Sequence, residues 1–418
     1  MPIVAGVDSS TQSVKVVLRD ADSGELVAST SRPHPDGSEV NPQHWWKALS
    51  EALDELSSHK ISAISIAGQQ HGMIALDKDG TVIRDALLWN DTRSDKAAED
   101  LNREIPDIAL RTGSQLVASF TASKVRWLAD SEKANANRVA AIALPHDWLS
   151  WKLSGAKSIE TLFTDRSDAS GTGYFDSRKN EYCLDILATA IRTNQEIILP
   201  KIIAPNQFGA TSTNSIPIAA GAGDNAGAAL GLGASLGDLV ISLGTSGTAF
   251  AISKSSTHDS SGEVAGFADA TGNFLPLACT LNAAKIFNTV AKSLSLSFEE
   301  FSSLALSAKV GAEGLRIIPH FDGERTPNKP SAKGSFYGIT HSNFTRENIA
   351  RASIEGVIAG MIYAARAVER QGVSYSRILL IGGAAKNSAV QQIAADLFGR
   401  TIHIPPIGEY VADGAAKQ

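Results

Sequence analysis

Leu239-Val-Ile-Ser-Leu-Gly-Thr-Ser-Gly-Thr-Ala-Phe-Ala-Ile252 decides how this chain folds. Two apolar, β-branched runs flank the turn Ser242-Leu-Gly-Thr-Ser-Gly247, a pattern that predicts two strands joined by a tight loop. The pattern occurs twice. Residues 3–7 and 14–18 are short apolar runs joined by Asp8-Ser-Ser-Thr-Gln-Ser13. A Gly/Ser/Thr loop offers backbone N–H groups and hydroxyls, which is what a phosphate needs. One such loop is explained by a turn alone. Two at equivalent places in two halves are poorly explained by coincidence, and they suit a polyphosphate held from both sides.

Between the halves lies Ile218-Ala-Ala-Gly-Ala-Gly-Asp224-Asn-Ala-Gly-Ala-Ala-Leu-Gly-Leu-Gly233, with one carboxylate among small residues. Small residues allow close approach of a ligand, and an Asp there has room to act as a base. Taken alone, the run reads better as an Asp-capped turn. Stretch 217–223 is the best domain boundary, giving halves 1–222 and 223–418.

The remaining pattern is α/β. Apolar spacing predicts helices over 42–58, 94–104, 120–135, 298–308, 345–370 and 387–398, and strands over 61–67, 378–381 and 401–404. The chain has 418 residues, too many for one core. Its 43% hydrophobic and 20% charged content is that of an ordinary globular protein. The net charge of −6, with no Lys/Arg block, argues against nucleic acid or a membrane surface as partner. Cys183 and Cys279 lie far apart and make no metal spacing. The N-terminus lacks a basic signal-peptide region, so a cytoplasmic enzyme is expected. No Gly-x-Ser-x-Gly, His-Glu-x-x-His, Cys-x-x-Cys or P-loop motif is present.

Further candidates each carry a plainer alternative. Asp8 to Lys15 combines an acid for hydrated Mg²⁺, hydroxyls for phosphate oxygens and a lysine; it also reads as a polar hairpin turn. Gln70 and His71 follow a buried strand, where α/β folds place ligand groups, yet a lone His is more often structural. Trp89 could floor a polar pocket. Gly382-Gly-Ala-Ala385 ends a strand and opens a helix, as an adenosine or phosphate site would, but also as simple packing would. Asn387 caps that helix first, with base contact compatible.

Together these motifs resemble the FGGY carbohydrate kinases over nearly the whole chain. Gly338-Ile-Thr-His-Ser-Asn-Phe-Thr-Arg-Glu-Asn-Ile-Ala-Arg-Ala-Ser-Ile-Glu-Gly356 is similar to the family's longest and most specific segment. Gly68-Gln-Gln-His-Gly72, Leu88-Trp-Asn-Asp-Thr-Arg93, Ser167-Asp-Ala-Ser-Gly-Thr172, Gly223-Asp-Asn225 and Gly323-Glu-Arg-Thr-Pro327 are most similar to members acting on D-xylulose.

The resemblance implies two RNase H-like domains of the actin-like/hexokinase-like ATPase fold around a central cleft. It implies Asp224 as catalytic base, and Gln70, His71 and Asn225 as sugar ligands. Asp8, with Asp224, would hold Mg²⁺ through water. Ser10, Thr11, Gln12 and Lys15, then Gly244, Thr245 and Ser246, then Gly382, Gly383 and Asn387 would bind ATP. Ribulose, a polyol such as glycerol, or a non-catalytic sugar-binding role are the alternatives, and a homodimer is left open. Ser10 stands where the family's first loop usually has Gly, and Gln70 where Met is frequent. The chain reaches Gln418 within what looks like the first turn of the family's closing helix, past which most relatives continue. A closing helix cut short is expected to expose apolar surface.

Overall fold

The computed structural model describes residues 2–193 and 195–418. Contacts divide the chain into two compact units: residues 1–234 with 266–274 and 407–418, and residues 235–265 with 275–406.

The first unit is built on a seven-stranded sheet. Its path runs Phe208–Thr211, Pro217–Ala219, Ile61–Gly68, Ile3–Ser9, Ser13–Asp20, Leu26–Pro33, with Ala222–Gly223 also paired to Ile61–Gly68. Ile3–Ser9 pairs antiparallel with Ser13–Asp20 and parallel with Ile61–Gly68. Val7, Val14, Val16, Leu18, Ile64 and Ile66 fill the core beneath it. Helix Pro42–Glu55 covers this core with Trp45, Ala48, Leu49 and Ala52, spaced three and four apart. Asn41 starts the helix by accepting from Gln43 N, and Pro42 supplies the preset φ of a first turn.

The second unit repeats the scheme. Its central strands run Phe274–Thr280, Gly247–Ala251, Asp238–Leu243, Arg377–Ile381, Ile402–His403. Asp238–Leu243 pairs antiparallel with Gly247–Ala251 and parallel with Arg377–Ile381. Each unit therefore opens on a hairpin whose first strand has a parallel neighbour on its other side. Helix Arg346–Arg370 buries Ile354, Val357, Ile358 and Met361 against this sheet's core, with Thr345 accepting from Asn348 N at its start. Ile349 and Ile362 lie at the margin of the stripe, partly buried.

Three local expectations change. The polar stretch after Val7 is mostly strand: only residues 10–12 form the turn, so Asp8 and Lys15 are directly opposed across the hairpin. The Gly/Ala-rich run after Gly223 is a helix, Asp224–Leu232, and not a turn. The division placed before Asp224 falls inside the first unit, because this helix packs on helix Tyr410–Lys417 and both stay with the N-terminal sheet. The two helices meet backbone to backbone at Gly227, Gly231 and Gly414. Among the described residues no helix is long and apolar enough to cross a membrane.

Candidate active site

In the first unit, Asp8 and Ala222 both stand level with Ala67, and Ser9 and Gly223 both stand level with Gly68. The register thus brings Asp8, Gln69 and Asp224 to the carboxyl ends of neighbouring parallel strands, where open α/β sheets gather ligand groups. Asp224 is the first residue of its helix, after Gly223 in extended conformation. Its Oδ1 accepts from Asn225 N at 2.7 Å and from Asn225 Nδ2 at 2.8 Å. Desolvation pushes the Asp224 carboxyl up to about 6, against these two hydrogen bonds. Asp8 is pushed up to about 7, first by burial and then by the Asp224 carboxylate, with Lys15 opposing. Asp8 Oδ1 is buried with no hydrogen-bond partner among the described residues. Lys15 Nζ lies 2.6 Å from Glu409 Oε2.

Gln70 and His71 follow Ile61–Gly68 and are buried. Gln70 Nε2 donates to Ser167 O at 3.4 Å, and its side chain lies so close to Gly223 that a Cβ there would be 2.7 Å from Nε2. The segment leading to Asp224 and the expected sugar residue Gln70 are therefore in contact. His71 adopts φ 69°, a left-handed conformation costly outside glycine and often kept at ligand sites. Its Nδ1 lies 2.6 Å from Gly171 O; a carbonyl only accepts, so Nδ1 carries the proton. Its ring packs between Phe120 and Phe267, with centroids 4.8 and 5.5 Å away. Thr11 joins this motif to the hairpin turn: Trp89 Nε1 donates to Thr11 Oγ1 at 2.8 Å, and Thr11 Oγ1 donates to Gln69 Oε1 at 3.2 Å. Ser10 Oγ donates to Ser13 O, and Gln12 is exposed.

Gly244, Thr245, Ser246, Gly382, Gly383 and Asn387 are gathered in the second unit. Gly244 N donates to Ser246 O at 3.0 Å, closing the turn. Gly382, at φ 96°, abuts Leu243, where a Cβ would lie 2.5 Å from Leu243 O, so the two Gly-rich turns are neighbours. Asn387 Oδ1 accepts from Ala389 N and Val390 N, and its Nδ2 donates to Ser302 Oγ at 2.6 Å. Capping takes its Oδ1, and Nδ2 is held by Ser302.

Sequence reasoning assigned no role to His146, Ser167 and Asp168, which surround the segment before Asp224. His146 Nδ1 lies 2.7 Å from Asp168 Oδ2, and Gly223 N donates to Ser167 Oγ at 3.1 Å. Ser167 and Asp168 open the stretch Ser167-Asp-Ala-Ser-Gly-Thr172 quoted above, which carried a resemblance but no assigned role; His146 left no such trace.

Two like-built α/β units, each opening on a hairpin with a parallel strand beside it, define the class of the actin-like and hexokinase-like ATPases. Residues 3–231 match the model of the FGGY carbohydrate kinase N-terminal domain, and residues 239–418 that of the C-terminal domain. A xylulose kinase of Streptomyces coelicolor is 41% identical over 435 residues, spanning 100% of this chain and 87% of that protein. One of Escherichia coli is 32% identical, spanning 99% and 88%. The crystal structure of xylulose kinase from Bifidobacterium adolescentis superposes with TM-score 0.93 at 42% identity, covering 99% of this chain and 91% of that one. The chain belongs to the FGGY family of carbohydrate kinases.

Proposed function

We propose that the protein transfers the γ-phosphoryl group of ATP to the C5 hydroxyl of D-xylulose, as a cytoplasmic enzyme. The observation that carries this reading is the desolvated Asp224 carboxylate at a helix start, beside Gln70. The choice of sugar rests on relatives named xylulose kinase, similar along the full chain.

Asp224 accepts the hydroxyl proton as the new bond to phosphorus forms. Its desolvation raises its basicity, which favours proton uptake near neutral pH. Asn225 fixes the carboxylate's orientation through Oδ1, leaving Oδ2 for the hydroxyl. Gln70 and His71 bind sugar hydroxyls. Ser10, Thr11, Gln12, Lys15, Gly244, Thr245 and Ser246 contact the phosphates, and Gly382, Gly383 and Asn387 the adenosine. A divalent cation fits at Asp8, whose buried Oδ1 lacks a partner among the described residues and whose carboxyl is held up by burial and then by the Asp224 carboxylate. Asp8 and, through water, Asp224 would hold Mg²⁺, which supplies charge neutralisation for the polyphosphate. Product analysis tests this reading: ³¹P and ¹³C spectra of the product are expected to place phosphate on C5 of xylulose, and phosphate on another carbon would overturn it.

Alanine at Gln70 or at His71 is expected to raise the KM for D-xylulose about tenfold each, the worth of one lost hydrogen bond of about 1.4 kcal/mol. An unchanged KM in steady-state assays would return both residues to packing roles. A base works only when ionised, and burial lifts Asp224 from 3.8 to about 6. The pH profile of kcat/KM should therefore fall at least tenfold per unit below that value, with the ionisation of Asp8 at about 7 adding to the loss above it. An acid limb near pH 4 would contradict the assignment.

A further inference from the structure

His146 is fully buried where four segments meet. An alanine at Gly68 would place its Cβ 3.0 Å from His146 Cβ, and one at Gly221 would place it 2.3 Å from the ring's Cδ2. Both ring nitrogens face acceptors. Nδ1 lies 2.7 Å from Asp168 Oδ2 and 3.3 Å from Asp147 Oδ1, and Nε2 lies 3.4 Å from Ala220 O. A ring with an acceptor on each nitrogen is best satisfied as an imidazolium donating both ways. Desolvation opposes that charge, but the carboxylates of Asp147, Asp168 and Asp165 outweigh it and raise the His146 pKa. His146, Asp147 and Asp168 could also be drawn as a metal cluster, since their ligand atoms lie within 4.8 Å of one another. The proton between His146 and Asp168 already fills that role.

Asp168 and Ser167 sit on one short helix, Arg166–Ala169, started by Asp165, whose carboxylate accepts from Ser167 N and Asp168 N. The two neighbours grip the same target from different ends. Ser167 Oγ accepts from Gly223 N, the peptide just before Asp224. Asp168 holds His146, whose Nε2 reaches the carbonyl of Ala220. Between them, the Gln418 side chain accepts from Gly221 N and donates to Gly221 O, both at 2.7 Å. Ser167 O also receives Gln70 Nε2. One helical turn therefore fixes the segment carrying the base and the side chain expected on the sugar.

We propose that the His146–Asp168 pair and the Ser167 hydroxyl are positioning residues for phosphoryl transfer: they lock segment 220–223 so that Asp224 meets the sugar hydroxyl in productive orientation. This rests on Asp224 being the base. A misplacement of about 1 Å from such a support costs up to 10²-fold in rate without weakening substrate binding.

The test compares Asp168→Asn, which keeps the shape but removes the charge, and Ser167→Ala, which removes only the grip on Gly223. Sugar-binding sites are counted by titration calorimetry with D-xylulose, so that kcat is expressed per competent site and inactive protein drops out. Both variants should show a ten- to hundredfold lower kcat per site, with the D-xylulose Kd and the KM values within threefold of wild type. If Asp168→Asn does not fold, Ser167→Ala decides, because it leaves the buried ion pair intact. A folded variant with kcat per site within twofold of wild type, or kcat and Kd moving together, would overturn the proposal. Failure of the underlying reading is seen separately, as an Asp224→Asn enzyme that still turns over in the same assay.

Discussion

Asp224→Asn should cut kcat by roughly two to four orders of magnitude, the usual worth of a positioned base, while D-xylulose still binds. Asparagine keeps the shape, and its amide oxygen can still accept from Asn225 N and Nδ2, the two bonds that hold the carboxylate. What is lost is the ability to take a proton. The variant should also lose the part of the acid limb that belongs to the group titrating at about 6. Stopped-flow ADP release and calorimetric sugar binding on one preparation measure both halves of the prediction. Turnover near wild type would remove Asp224 from the chemistry.

The second large effect is on stability. Gly414→Ala would put a Cβ 1.9 Å from Gly227 O and 2.9 Å from Gly231 N, which are backbone atoms of the helix that begins with Asp224. No side chain can swing away to make room, so the two helices must separate. Overpacking of this kind costs about 3 kcal/mol, and the unfolding midpoint should fall by roughly 5–10 °C. Gly360→Ala is the matching control. It lies inside helix Arg346–Arg370 with nothing within 4 Å of the added Cβ, and should stabilise by up to about 1 kcal/mol through helix propensity. The same substitution then has opposite signs at two helical glycines. Differential scanning calorimetry distinguishes them, and an unchanged midpoint for Gly414→Ala would refute the close helix contact.

Those glycines also explain where sequence reading stopped. Strands Ile3–Ser9, Ile61–Gly68, Asp238–Leu243 and Arg377–Ile381 were legible because their β-branched and aliphatic runs are bounded by polar turns. Helix Asp224–Leu232 was not, because Gly227 and Gly231 lower its propensity and its small residues show no apolar stripe. They are small to admit helix Tyr410–Lys417, a partner about 190 residues away, and nothing local in the chain announces that partner. The same long-range pairing carries residues 407–418 into the first unit, which a boundary drawn before Asp224 does not anticipate.

The expected site residues divide likewise. The places of Asp8, Gln70 and His71 near strand ends were legible because polar residues there interrupt apolar runs, and strand ends are the recurrent address of ligand groups in α/β folds. Asp8, Ser9 and Ser13 were read as turn residues and stand in strands, since the alternation of faces continues into the polar stretch. The pairing of His146 with Asp168 escaped, although Asp168 lies in the quoted stretch Ser167–Thr172, because it joins two helices 22 residues apart and neither spacing nor composition announces it.

If D-xylulose is the acceptor, ATP is cleaved for the sake of one sugar. The direct measurement is a coupled assay of ADP release by the wild-type protein across D-xylulose, L-xylulose, D-ribulose, L-ribulose and glycerol. Rapid release is expected with D-xylulose, at a kcat/KM at least tenfold above that for any other acceptor, and only slow release without sugar. A higher kcat/KM for another acceptor, or ADP release indifferent to all of them, would contradict it.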